Sequence, residues 1–402
     1  MQTANEKLRD ALIKRQSYLQ LLAKRYRLDV LDELDSTIPA VKAMIAEQLP
    51  NIKGSLNTAK SAGRFAAIGK QYEKIRQPAY SAAETAYMET MAKLANDEAE
   101  FIAGSLKQSV PFDISTAAVT GTAISNITAF GAFQGKTIAQ WFNGVSSSDF
   151  SRFEGVVRAG VNRGLTIDNM ITYAIGTYSK RTGKYSGDIQ VSRNAAETAV
   201  RTITNGVTND AREEFYKANA DIISYEIYQA VLDGRTSLIC AGLDGEKFKV
   251  GEGPIPPAHD NCRSIRIPVI DGIGLLGERP SVGGVNFRKD ARETYINNRA
   301  KKGDDYKTAT GKWNNLSNSS KNGYINKARR AYAGNVIGTE APGTSYGTWL
   351  KKQSVDLQND VLGATNAQKF RAGEMTLDKF TDKFGKPLTL DELRSKYPEI
   401  YR

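Results

Sequence analysis

Residues 222–248 read IISYEIYQAVLDGRTSLICAGLDGEKF, and the fold turns on how the hydrophobic period changes around them. Just upstream, Ile203, Val207, Ala211 and Phe215 recur every four residues, which predicts one long helix from about 192 to 221 despite Gly206. IISYEIYQAVL then mixes β-branched and aromatic residues with partial alternation, the pattern of a strand. Asp233-Gly234 stands in a hairpin-turn position before GRTSLICAGLDG, and SIRIPVI at 264–270 offers a third strand. A small antiparallel sheet therefore grows out of a long helix.

Toward the N-terminus the period is helical. Leu8, Leu12, Leu19, Leu22 and Tyr26 share one face of a helix over 5–27, while Lys7, Lys14, Lys24 and Arg25 fall largely elsewhere. Pro39, Pro50 and Gly54 punctuate the next segments, and Pro78 is expected to separate two helical runs. GLTIDNMITYAIG reads as a brief helix with Thr166 as N-cap and Gly176 at its end. Toward the C-terminus, Gly363, Gly373 and Gly385 mark the ends of short helices, and Thr389 with Glu392 forms a capping-box pair before the last one. The fold class is mainly α with a small antiparallel β element (α+β). The division is a helical region 1–110, a low-charge connecting segment 111–149, a helix-and-sheet core 150–275, and a basic segment with a helical extension 276–402.

A chain of 402 residues that is 40% hydrophobic can bury a sizeable core, and its length suggests two or three domains. Fifty-five Lys and Arg against forty-four Asp and Glu give a net charge of +11, which favours polyanionic neighbours. Much of that excess lies between Phe287 and Tyr332, with twelve basic and four acidic residues interleaved with Tyr295, Tyr306, Trp313, Tyr324 and Tyr332. Such mixing suits phosphate pairing with base stacking, and equally a solvated excursion with aromatics at a core edge. Arg288, Lys289, Lys301, Lys302, Arg329 and Arg330 are the candidate contacts to double-stranded DNA, bound without sequence preference. The N-terminus lacks the apolar stretch of a secretory signal, which points to synthesis and folding in the cytosol. Ile114–Gly135 carries no charge but is rich in Thr, Ser and Gly, so no stable membrane span is expected.

The stretch CAGLDGEKFKVGEGPIPPAHDNCR, residues 240–263, holds both cysteines and the sole histidine. Cys240, His259 and Cys262 resemble a metal-binding spacing, but a structural zinc site takes four ligands and here a fourth would have to come from Asp244, Asp260 or water. A Cys–His nucleophile would need an oxyanion hole, and neither cysteine is marked as lying at a helix N-terminus. A disulfide between the two would close a loop worth about 3 kcal/mol in an oxidising setting. The scaffold reading has Pro256-Pro257 stiffening the turn, His259 and Asn261 bonding the backbone, and Cys240 packing against Cys262. On that reading there is no metal, no cofactor and no catalytic residue.

Arg193 with AAETAVRT, NDAREEFYKAN, LDGRTSLICAGLDGEKF and PPAHDNCRS, in that order, resemble the phage Mu protein F-like family over about 150–270. The residues that carry the resemblance are Asp233, Arg235, Thr236, Cys240, Asp244, Gly245, Pro256, Pro257, His259, Cys262 and Arg263. The C-terminal helices from Tyr346 are similar to the extension many members carry. Members often have a second cysteine directly after the arginine, where Ser264 stands here. The resemblance implies a minor head protein of a tailed bacteriophage, inside the capsid near the portal, acting in head morphogenesis. Portal protein, other capsid or ejection proteins and packaged DNA would be its partners. The competing expectation is an enzyme delivered by the virion, a nuclease or toxin relative that uses the His259 region.

Overall fold

The structure is a computed structural model describing residues 3–48, 59–270, 279–281, 287–317, 320–321, 323–325, 338–340, 344–382 and 387–401. It is mainly helical with small antiparallel sheets, as the periodicity predicts. Two compact units are built on Ala11–Asp221 with Pro254–Arg263, and on Met1–Asp10, Ile222–Gly253 and Ser264–Arg402. Among the described residues, no helix is long and apolar enough to cross a membrane.

The first unit is a helical assembly. Helix α1 (Ala4–Asp35) is followed by α2 (Ile38–Gln48), α3 (Ala59–Ser109), α4 (Gly121–Phe130), α5 (Ile138–Asn162), α6 (Ile167–Ala174) and α7 (Ile189–Ala218). Strands β1 (Tyr178–Ser179) and β2 (Lys184–Tyr185) make a short hairpin before α7. Helix α5 runs across 149–150, a boundary of the expected division, and opens with a capping box of Thr137 and Gln140. Thr166 caps α6 as expected, its side chain accepting the Asn169 N–H. The expected break at Pro78 is not there, since α3 continues through it. Proline removes one backbone donor and normally costs a helix interior about 3 kcal/mol. Here Arg76 and Tyr80 bracket it, and both bond Asp149 of α5.

That carboxylate is the unit's polar hub. Asp149 accepts hydrogen bonds from the Tyr80 hydroxyl at 2.9 Å, Arg76 Nε at 3.1 Å, the Tyr72 hydroxyl at 3.1 Å and Ser192 Oγ at 2.7 Å. Tyr72, Arg76 and Tyr80 are spaced by four on α3, so one carboxylate fixes two helical turns of it against α5 and α7. Burial, together with the Asp149 charge, raises the Tyr72 and Tyr80 phenols above their ordinary values and keeps both as donors. A second buried carboxylate, Glu98 of α3, accepts from Arg15 of α1 at 2.8 Å and from Arg212 of α7 at 2.7 Å. Apolar packing fills the rest, with Leu19, Tyr87, Met91, Phe142, Val200, Ile203 and Val207 in one core cluster. Gly206 lies against Phe133, where a Cβ would stand 2.1 Å from the ring, so this position in α7 admits no side chain.

The second unit holds the small sheet. β3 (Tyr225–Gln229) lies between β4 (Lys247–Phe248) and β5 (Ile265–Val269), antiparallel to both, with Ile227 opposite Ile267. Strands β3 and β5 are those expected from IISYEIYQAVL and SIRIPVI. The predicted strand between them is instead helix α8 (Leu238–Leu243), so the Asp233-Gly234 turn leads into a helix. Asn5 exchanges two hydrogen bonds with the backbone of Ile270, which extends the end of β5. Strands β6 (Arg279–Ser281) and β7 (Gly338–Glu340) pair separately. Helices α9 (Phe287–Ala300), α10 (Tyr306–Asn314), α11 (Tyr346–Lys351), α12 (Val355–Leu362), α13 (Ala364–Ala372) and α14 (Leu390–Lys396) follow. Leu232, Ala241, Trp313, Trp349, Phe370 and Leu393 belong to their common core. Gly363 and Gly373 end α12 and α13, and Thr389 and Glu392 form the expected capping box, whereas Gly385 lies outside the described residues.

Two stability measurements follow from the first unit. Asp149→Ala strands a buried guanidinium and three hydroxyls, and should cost about 3–5 kcal/mol in denaturant unfolding. Asp210 on α7 is pushed up to about 7, chiefly by burial, with Glu213 and Glu214 adding to the shift and Lys217 opposing it. Because its folded pKa lies above its unfolded one, stability is lost as pH rises from about 4 to 7 and stays lost above. Asp210→Asn should therefore raise Tm by about 2–4 °C near pH 8 and leave it unchanged near pH 4, as read by calorimetry at the two pH values.

Candidate functional site

The motif residues from Asp233 to Gly245 bond the backbone of their own unit. Asp233 Oδ1 accepts the Arg235 N–H at 3.0 Å, and the Thr236 N–H donates to the Asp233 carbonyl at 3.2 Å. The Thr236 hydroxyl donates to the Val231 carbonyl. This self-bonded turn delivers Ser237, whose Oγ accepts the Cys240 N–H at 3.3 Å and caps α8. Cys240 therefore does sit in the first turn of a helix, contrary to the sequence reading. The Thr-Ser pair ahead of LIC was the available signal, but six residues are too few for a helical period to emerge.

Asp244 ends α8 and is buried. One carboxylate oxygen accepts the Ala230 N–H at 2.7 Å and the other the Tyr346 N–H at 2.6 Å, 102 residues away in sequence. Gly245 adopts φ +89°, a conformation that favours glycine, and its N–H donates to the Tyr228 carbonyl at 2.8 Å. The Asp244-Gly245 pair thus folds α8 back onto β3 and anchors the start of α11. Tyr346 and Tyr228 are the partners that sequence reasoning missed. β3 buries Glu226 and Tyr228 while Ile227 between them is only half-buried, so its hydrophobic pattern did not mark Tyr228 as inward.

Pro256 and Pro257 are buried and joined by a cis peptide bond. Asn261 has φ +58°, which asparagine tolerates better than most residues, and the Cys262 N–H donates to the His259 carbonyl at 3.1 Å. His259 is half-buried, with Nδ1 2.8 Å from the Asp260 carbonyl oxygen. Cys240 and Cys262 are both buried and form no disulfide. The Tyr228 hydroxyl lies 3.3 Å from Cys240 Sγ.

The DNA-contact candidates are only partly placed. Lys301 and Lys302 are exposed at the end of α9, whereas Arg329, Arg330 and the side chains of Arg288 and Lys289 lie outside the described residues. Tyr295, Trp313 and Tyr324 pack on one another, with ring centroids 5.1–5.9 Å apart. Tyr306 is 66% exposed, and Tyr332 is outside the described residues. Of the two readings of this segment, the core-edge one accounts for the packed trio.

Residues 152–267 match the family described as Phage Mu protein F like protein. No curated protein and no solved structure matches the chain. The matched stretch begins within α5, takes in α6, α7 and α8, and ends within β5, so it contains the Asp233 turn, the Asp244 clamp and the Cys240–Cys262 loop. The match supports a bacteriophage structural protein of head morphogenesis. Over this region, the chain is similar to the phage Mu protein F-like family.

Proposed function

We propose that the protein is a minor head protein of a tailed phage, held inside the capsid near the portal, where it acts in head assembly and lies against packaged double-stranded DNA. The observation that carries this reading is the family match over 152–267. The behaviour of the motif residues inside that match supports it. Asp233, Thr236 and Asp244 spend side-chain oxygens on the backbone of their own chain. A general acid or base must instead keep an atom within reach of a substrate, so these groups read as scaffold and the protein as a non-enzyme.

The portal and neighbouring capsid or ejection proteins are the proposed protein partners. The buried stripe of α1, with Leu8, Leu12 and Leu19, is consumed in folding, while Tyr18, Leu21 and Leu28 are exposed. An outer face of this kind suits docking of an already folded helical unit onto a larger assembly. For DNA, the packing of Tyr295, Trp313 and Tyr324 on one another leaves charge rather than base stacking as the main attraction.

Mass spectrometry of purified intact and DNA-emptied particles tests the location: the protein should be present at low copy in the former, and its absence from both would refute a virion role. Binding to duplex DNA should weaken steeply with salt and show no sequence preference. Replacing Lys301 and Lys302 with Gln should reduce the slope of log affinity against log salt by about 2, since each phosphate contact contributes about 0.9. An unchanged slope would make these lysines part of a solvated face.

A further inference from the structure

We propose that the hairpin of β1 and β2, with Lys180, Arg181 and Lys184 around its turn, is a preformed cationic contact for the phosphodiester backbone of duplex DNA. The proposal rests on the reading that the protein lies against packaged DNA, and it adds a contact distinct from Lys301 and Lys302.

Charge comes first. The stretch TYSKRTGKYSG, residues 177–187, holds three basic residues and no acidic one. Every residue from Lys180 to Lys184 is exposed. None of the three cations meets a carboxylate partner among the described residues. Elsewhere in the same unit Arg15, Arg27, Arg76, Arg152, Arg193 and Arg212 each pair with Asp or Glu. The carboxylates beside the hairpin are already engaged, Asp188 by Arg152 and Asp35 by Arg193. Three uncompensated charges on one turn make a local positive field, and its complement is a row of phosphates. Such contacts hold the duplex without reading its sequence.

The turn is built before anything binds. The Ser179 carbonyl accepts the Thr182 N–H at 3.2 Å and the Gly183 N–H at 2.8 Å, with Gly183 at φ +65°. Arg193 of α7 is buried and donates from Nη2 to the Gly183 carbonyl at 3.3 Å. Its guanidinium also stands 5.2 Å from the centroid of the Tyr185 ring. The Tyr185 N–H donates to Gln190 Oε1 at 2.8 Å, which fixes the second strand to the start of α7. At the neck, a Cβ on Gly176 would stand 2.3 Å from the Gly187 nitrogen, so the two arms meet as glycine alone permits. A backbone ordered in this way loses little further entropy on binding. Arg193 is therefore a positioning residue: Asp35 balances its charge, and it holds the turn that carries the three free ones.

The test uses the full-length protein and duplex DNA. Combining Lys180→Gln, Arg181→Gln and Lys184→Gln should reduce the slope of log affinity against log salt by about 2.7, at about 0.9 per phosphate contact. The three side chains are exposed, so Tm should be unchanged in this variant. In the unaltered protein, duplex DNA should shield Lys180 and Lys184 from acetylation, as read by mass spectrometry. Arg193→Lys keeps the charge but loses the fork that spans Asp35 and Gly183. It should weaken binding about 2- to 10-fold at unchanged slope and unchanged active fraction, whereas simple destabilisation lowers the active fraction alone. Unchanged affinity in Arg193→Lys removes Arg193 from this part. If the unaltered protein binds duplex DNA but the triple variant keeps the full slope, or the two lysines stay open to acetylation, the hairpin assignment fails and the DNA reading stands. If the unaltered protein binds no duplex DNA, both fail. A triple variant that binds DNA normally yet no longer enters heads would make the hairpin a contact for an acidic protein surface, and so overturn the proposal.

Discussion

The middle of helix α7 is covered on every side, and the polar design of the helical unit follows from that constraint. Every residue from Thr202 to Asn209 is buried, more than two full turns, so no face is left for solvent. An unpaired polar atom in such a place costs about 1–3 kcal/mol. The side chains answer accordingly. Thr202 and Thr208 donate to the carbonyls of Thr198 and Thr204, Thr204 pairs with the Tyr87 hydroxyl, and Asn205 accepts from Gln16 of α1. Where a neighbour comes closest, at Phe133, the helix carries Gly206.

The charged groups around α7 obey the same rule at higher stakes. Asp149 and Glu98 each gather donors from other helices, so the two carboxylates tie α1, α3, α5 and α7 together. Buried ion pairs add little net stability over apolar packing of equal volume, but removing one partner is severe. Their effect is to make one arrangement of helices far better than its neighbours. Pro78 illustrates this, because the two side chains that flank it on α3 are both held by Asp149, and the helix persists through a residue that would break it in isolation.

In the second unit Asp244 has the corresponding part. Its two oxygens reach Ala230 at the end of β3 and Tyr346 at the start of α11, so the family region and the C-terminal helices share one buried anchor. The neighbouring Cys240 is positioned by the same short helix, with its first turn capped by Ser237. His259 and Cys262 are carried by a loop of the other unit that Pro256-Pro257 stiffens.

Sequence alone determined what depends on local pattern. The four-residue repeat marked α7, alternation marked β3, β-branched content marked β5, and Thr166 and the Thr389–Glu392 pair marked two helix starts, because each signal lies within a few residues of the element it specifies. The ordered motif set from Arg193 to Cys262 likewise marked the family region. Tertiary structure decided the rest. It carried α3 through Pro78, made 238–243 a helix rather than a strand, and packed Tyr295, Trp313 and Tyr324 on one another. The physical reason is common to these cases. Each depends on partners far away in the chain or on a side-chain direction fixed by packing, and a one-dimensional pattern encodes neither.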